Sequence, residues 1–129
     1  MDKNQLIDRL RNLPFDKAHY WLAAGGAMVI YGFRDETRDI DLGCSTELAD
    51  ELEKQGYPIS VLKDGTRRIA YSEDVEIYED WLMDKVVVQD DIPVVSVDGL
   101  IAMKKNLGRE KDYRDIELIN RMRKEVTEK

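Results

Sequence analysis

The chain has 129 residues, 43% of them apolar and 36% charged, with a formal net charge of −7. That length fits one domain, 1–129, with enough apolar material for a core. The acidic balance argues against broad, nonspecific binding to nucleic acid or anionic membranes.

The single cysteine, Cys44, leaves no internal disulfide and fits a reducing compartment. It reads as a small buried residue at a strand end. The opening MDKNQLIDRL lacks the apolar stretch of a secretory signal. No apolar run approaches the ~20 residues of a membrane span, so a cytoplasmic location is expected.

Residues 3–13 place Leu6, Ile7, Leu10 and Leu13 on one helical face, and Pro14 ends that helix. HYWLAA reads as a short strand, and GGAMVIYG as a short helix opened by Gly25-Gly26 and closed near Gly32. After the polar FRDETR comes the strand RDIDLGC, with Ile40 and Leu42 on one face and Asp39 and Asp41 on the other. STELADELEKQG is a helix capped by Ser45 or Thr46 and stopped by Gly56.

YPISVLK, TRRIAYS and DVEIYE read as three strands, the first two joined by a turn at residues 63–66. KVVVQ and IPVVSV are further short strand candidates. Two helices follow, SVDGLIAMKKNLG and EKDYRDIELINRMRKE, parted at Gly108, and the last residues, KEVTEK, read as a disordered tail. The expected fold is a small α/β (α+β) domain with a mixed sheet flanked by helices.

Asp39 and Asp41 fall on one strand face, about 6–7 Å apart along the chain. Their repulsion becomes attraction around a divalent cation, and Mg²⁺ (or Mn²⁺) suits hard oxygen ligands that leave positions open for a phosphate. Gly25 and Gly26, at a helix start, let backbone N–H groups approach an anion. Each element alone has a plainer reading, a solvated strand face or a turn.

A third carboxylate is expected on AYSEDVEIYED, where Asp74, Glu76 and Tyr78 share a face. Glu76 is preferred, and Asp74 is the runner-up. In the C-terminal helices Ile101, Leu107, Ile116 and Ile119 read as core. Lys104, Lys105, Arg109 and Lys111 read as cations able to reach a triphosphate, unless they are only a solvated face. Asp112 and Asp115, one helical turn apart, are placed to orient them or to cap the helix.

The segment GGAMVIYGFRDETRDIDLG resembles the signature of the DNA-polymerase-β-type nucleotidyltransferase superfamily: an apolar residue, a Gly pair, a connection, then D-x-D in apolar surroundings. TRDIDL and AMKKNLGREKDYRDIELI are most similar to its AbiEii-like branch, which includes toxins of toxin–antitoxin systems. The resemblance implies a minimal nucleotidyltransferase fold and transfer of an NMP from an NTP to an acceptor hydroxyl. It implies Asp39, Asp41 and Glu76 as metal ligands, and Gly25, Gly26, Arg38, Lys104 and Arg109 on the nucleotide, with Lys104 steadying the departing phosphates.

Three departures stand out. The third carboxylate is a glutamate where the superfamily usually has an aspartate. The Gly pair lacks the serine many members use. There is no room for a helical acceptor-binding domain, so a second copy of the chain or a partner protein is expected to supply that surface. The acceptor is a tRNA end, a protein hydroxyl or a small molecule. Arg34, Arg38, Arg67 and Arg68 speak for RNA if they line one groove. The rival reading is a non-catalytic nucleotide-binding or protein-interaction domain of the same fold.

Overall fold

The computed structural model describes residues 1–128, with side chains through residue 124; Lys129, the end of the expected tail, lies outside the described residues. Helix α1 (Lys3–Arg11) starts at a capping box, Asp2 accepting from the Gln5 N–H while the Gln5 side chain accepts from the Asp2 N–H. It buries Leu6 and Leu10. Leu13 lies beyond the helix end and is buried all the same.

Strand β1 (Tyr20–Ala23) runs straight into the short helix α2 (Ala24–Ile30). The turn between them is made by Ala24 in the left-handed region, φ +52°. Strand β2 (Ile40–Cys44) leads to α3 (Thr46–Lys54), capped by the Ser45 hydroxyl. Then come β3 (Ile59–Val61), β4 (Arg67–Ala70) and β5 (Val75–Glu79). Both further strand candidates form, as the hairpin β6 (Val86–Gln89) and β7 (Ile92–Val95). Helices α4 (Val97–Leu107) and α5 (Glu110–Glu128) are separated by Gly108 at φ +65°. Because α5 continues to Glu128, the expected tail is helical up to that residue.

All seven strands form one mixed sheet in the order β3-β4-β5-β2-β1-β7-β6. β2 is antiparallel to β1 and parallel to β5, while β1 is parallel to β7. Alternation divides the sheet's faces. Tyr20, Leu22, Ile40, Leu42, Cys44, Val75 and Ile77 are buried in one core with Leu6, Leu10, Met28 and Leu52 from the helices. Trp21, Asp41, Gly43, Glu76 and Tyr78 take the opposite face. Leu107, expected in the core, is 45% exposed, because it is the last residue of α4 and lies beyond the helix's buried positions Leu100, Met103 and Lys104. Among the described residues no helix is long and apolar enough to cross a membrane.

Candidate active site

Sheet register brings the expected residues together. Asp41 stands opposite Glu76 on β5 and opposite Ala23, the residue before α2, on β1. Neighbouring strands lie about 4.8 Å apart, so the ladder itself sets the spacing of these two carboxylate-bearing residues. Asp39 precedes the strand and is exposed. A small cavity is lined by Asp39, Asp41, Glu73, Asp74 and Glu76.

Neither the Asp39 nor the Asp41 carboxylate makes an ion pair or accepts a hydrogen bond among the described residues. Partial burial, then the nearby charges of Glu76 and Asp39, raise the Asp41 pKa above the ordinary carboxylate value, against weaker opposition from Arg68 and Arg109.

Glu76 is held differently. Arg68 grips it through two guanidinium nitrogens, the longer contact 3.2 Å, and the Tyr78 hydroxyl donates to it at 2.7 Å. These bonds, Arg68 first, hold its pKa low. Asp74 is tied to Arg9 at 3.0 Å and to Ser72 at 2.9 Å. Among the described residues no three His, Cys, Asp or Glu side chains are gathered closely enough to hold a metal. The three expected ligands Asp39, Asp41 and Glu76 nevertheless line one small cavity. Asp41 and Glu76 are register partners, but Arg68 draws the Glu76 carboxylate to itself.

Beside the carboxylates opens a cleft of about 280 Å³, lined by Ala24, Gly25, Thr37, Asp39 and Asp41 together with the cations Arg34, Arg38, Lys104, Arg109 and Lys111 and the carboxylates Asp112 and Asp115. Asp115 accepts from Lys104 at 2.9 Å and from Arg34 at 2.9 Å. Asp112, 0% exposed, accepts from Arg109 Nε at 2.6 Å and from the Arg109 backbone N–H at 3.1 Å. Those bonds, with burial opposing, keep its carboxyl low and charged. Lys104 is buried, so its ammonium reaches the cleft from the wall. Among the described residues Arg38 and Lys111 make no ion pair.

The two glycines play separate parts. A Cβ on Gly26 would lie 2.7 Å from Leu22 Cδ1, so Gly26 is there for packing. A Cβ on Gly25 would meet Thr37 Oγ1 at 3.0 Å and Arg34 Nη1 at 3.2 Å, which puts Gly25 at the cleft.

The sequence reading missed a second cavity of about 370 Å³, which shares Ala24, Asp41 and Arg109 with the first and is walled by Tyr78 and Trp81. It also treated Arg68 only as a basic residue and not as the partner of Glu76. Arg67 does not join a groove with it: Arg67 pairs with Glu79 at 2.6 Å and with Asp50 at 2.7 Å. His19 is half-buried with Nδ1 2.8 Å from the Ser45 hydroxyl.

The backbone is similar to that of the lincosamide antibiotic adenylyltransferase LnuA in its lincomycin-bound crystal structure. The TM-score is 0.53 and the identity 18%, over 91% of this chain and 93% of that one. A Thermotoga maritima protein described as a candidate nucleotidyltransferase (TM1012) gives 0.52 and 19%, over 98% and 91%. The chain has a nucleotidyltransferase fold. The mixed sheet flanked by helices, expected from the sequence, is the sheet of that fold. The sequence itself matches no protein-family model and no curated protein.

Proposed function

We infer that the protein is a metal-dependent nucleotidyltransferase, moving an NMP from an NTP to an acceptor hydroxyl. One observation carries the reading. Asp41 sits between Glu76 and the start of α2 and lines a cleft that also bears Arg34, Arg38, Lys104, Arg109 and Lys111. Hard cation ligands and polyanion-binding cations thus share one cleft.

The donor set fits Mg²⁺ or Mn²⁺. Asp39 and Asp41 are oxygen ligands whose carboxylates make no hydrogen bond or ion pair among the described residues, and burial, then Glu76 and Asp39, raise the Asp41 pKa, which a bound cation would offset. Asp39 and Asp41 would hold the ion, with Glu76 joining them once turned from Arg68. The ion supplies charge neutralisation and a lowered pKa for the acceptor hydroxyl.

The remaining work falls to the chain. Gly25 lets the triphosphate approach the backbone, and the cationic wall offsets its charge. Asp115 and Asp112 keep Lys104, Arg34 and Arg109 in place. The acceptor oxygen forms a bond to the α-phosphorus. The bond from that phosphorus to the bridging oxygen breaks, pyrophosphate leaves with the electron pair, and the hydroxyl proton passes to water.

Likeness to an adenylyltransferase crystallised with lincomycin favours a small-molecule acceptor over tRNA or protein. The AbiEii-like resemblance adds a toxin–antitoxin role. That role predicts growth arrest on expression of the wild type and none with Asp41→Ala. The central test is transfer from α-³²P-labelled NTPs with Mg²⁺ or Mn²⁺. Label should reach an acceptor with the wild type and fail to with Asp39→Ala and Asp41→Ala.

The engagement of Glu76 by Arg68 and Tyr78 favours a second reading, a nucleotide-binding domain without turnover. It predicts saturable NTP binding and no transfer to any of the three acceptor classes.

A further inference from the structure

The second cavity borders the proposed triphosphate cleft at Ala24, Asp41 and Arg109 and is otherwise lined by different residues. At about 370 Å³ it has the size of a small-molecule site. Leu62, just past β3, and Leu107, at the end of α4, reach it from different elements, and both are more than a third exposed. Solvated leucines converging on one hollow offer apolar surface to a ligand.

Its aromatic wall is built, not incidental. Tyr78 and Trp81 stand with ring centroids 5.1 Å apart. Trp81 directly follows Asp80, which adopts a left-handed φ of +56°. That conformation is uncommon for a residue with a side chain and persists where the surroundings hold it. Here the Asp80 N–H donates to the Cys44 carbonyl at 2.8 Å, and Trp21 Nε1 donates to the Trp81 carbonyl at 2.8 Å.

The cavity's charge is negative. Of its carboxylates, Glu79 is spent on Arg67. Among the described residues Asp64 accepts only from the Thr66 N–H and hydroxyl, Asp80 only from the Thr46 hydroxyl at 3.3 Å, and Asp41 accepts from no side chain. Among them too, the one cation in the wall is Arg109, which is held by Asp112.

We propose that this cavity is the acceptor pocket, and that it takes a cationic, ring-bearing, hydroxylated small molecule. The reading rests on the transfer function above. Aromatic faces beside carboxylates without counter-ions attract an amine. The same carboxylates repel a nucleic-acid backbone, and a neutral nucleobase has no use for them. Asp41, Ala24 and Arg109 form the shared border, so a hydroxyl projecting from this pocket meets the α-phosphorus held in the neighbouring cleft.

The test is a tryptophan-fluorescence titration of the full chain without nucleotide. The probes are 4-(aminomethyl)phenyl β-glucoside and its 4-carboxyphenyl counterpart. The amine is expected to quench saturably and to bind at least about tenfold more tightly than the carboxylate, a difference of about 1.4 kcal/mol. Trp81→Phe should remove the quench. Asp80→Asn and Asp64→Asn, each checked for an unchanged melting profile, should each erode the preference.

Equal affinities, or no saturation by the amine, would overturn the proposal. So would quenching by α,β-methylene-ATP that the amine displaces, which would make the cavity a base pocket. NTP transfer without amine-selective binding overturns the pocket alone. Amine-selective binding in a chain that transfers to nothing overturns the acceptor role together with the proposed function.

Discussion

Alanine at Gly25 and at Gly26 should have opposite consequences. At Gly26 the new methyl lies 2.7 Å from Leu22 Cδ1 and 3.3 Å from Leu22 Cγ. Leu22 is fully buried in the core under the sheet, so it has no open space to move into. Overpacking of this kind costs about 1–3 kcal/mol. Replacing glycine inside a helix returns up to about 1 kcal/mol. The net loss of about 1–2 kcal/mol corresponds to a fall in Tm of roughly 3–8 °C for a chain of this size.

At Gly25 the methyl meets only side-chain ends, Thr37 Oγ1 and Arg34 Nη1, at a half-buried position. Its φ is not in the left-handed region, so alanine is tolerated there and the same helical gain applies. Gly25→Ala should therefore keep or slightly raise Tm, while the methyl narrows the cleft and weakens binding of a non-hydrolysable NTP by about tenfold. Scanning calorimetry and nucleotide titration on both variants decide the matter. An unchanged Tm in Gly26→Ala, or a lowered Tm with intact nucleotide binding in Gly25→Ala, would refute the assignment.

Further outcomes follow from the same geometry. The Asp41 pKa is raised by folding, so its contribution to stability is present below the unfolded carboxylate pKa and lost as pH rises through the folded value. Asp41→Asn should thus melt higher than wild type near neutral pH, with the gap closing on acidification. Mn²⁺ at about 100 times its Kd should stabilise only the wild type, by about 2.7 kcal/mol. Arg68→Gln releases Glu76 and should tighten Mn²⁺ binding by at most about fivefold, the scale of a partly exposed ion pair, measured by paramagnetic titration. Asp112→Ala strands buried charge beside Lys104 and Arg109; urea unfolding should show a loss of about 2–3 kcal/mol, below the full cost of a buried pair because Lys104 keeps Asp115. Burial, then Glu79 and Asp80, push the Cys44 thiol up to about 12, so iodoacetamide should label it only after unfolding.

What the sequence revealed was whatever is written locally. Period-two alternation put Asp39 and Asp41 opposite Ile40 and Leu42, and closeness in the chain, across the break at Gly108, suggested Lys104, Arg109 and Lys111 as one basic group. The pairing of Asp41 with Glu76 depends on which strands become neighbours. No local pattern states that β2 lies parallel to β5, although the D-x-D motif made a carboxylate on a nearby strand the reasonable expectation. Arg68 escaped notice because its partner is set by a β4–β5 register across a turn.

Leu107 was misplaced because helical periodicity gives a face but not how far the neighbouring elements extend along it. The Trp81 wall had one available signal. Gly43 inside a strand marks a close approach, and there a Cβ would sit 2.0 Å from Trp21 Nε1, the group that anchors Trp81. The left-handed Asp80 carried no such mark, since aspartate stands where glycine would have announced the turn.

The register of β2 against β5 places the candidate metal ligands at the middle of the sheet. Asp41 and Glu76 ride on central strands, whose mutual offset changes only if the whole ladder slips. Leu62, Asp64 and Thr66, by contrast, border a hairpin near the sheet's outermost strand. A lineage of such chains can therefore lengthen or recolour that rim, and so trade one recipient molecule for another, while the reacting centre stays in place.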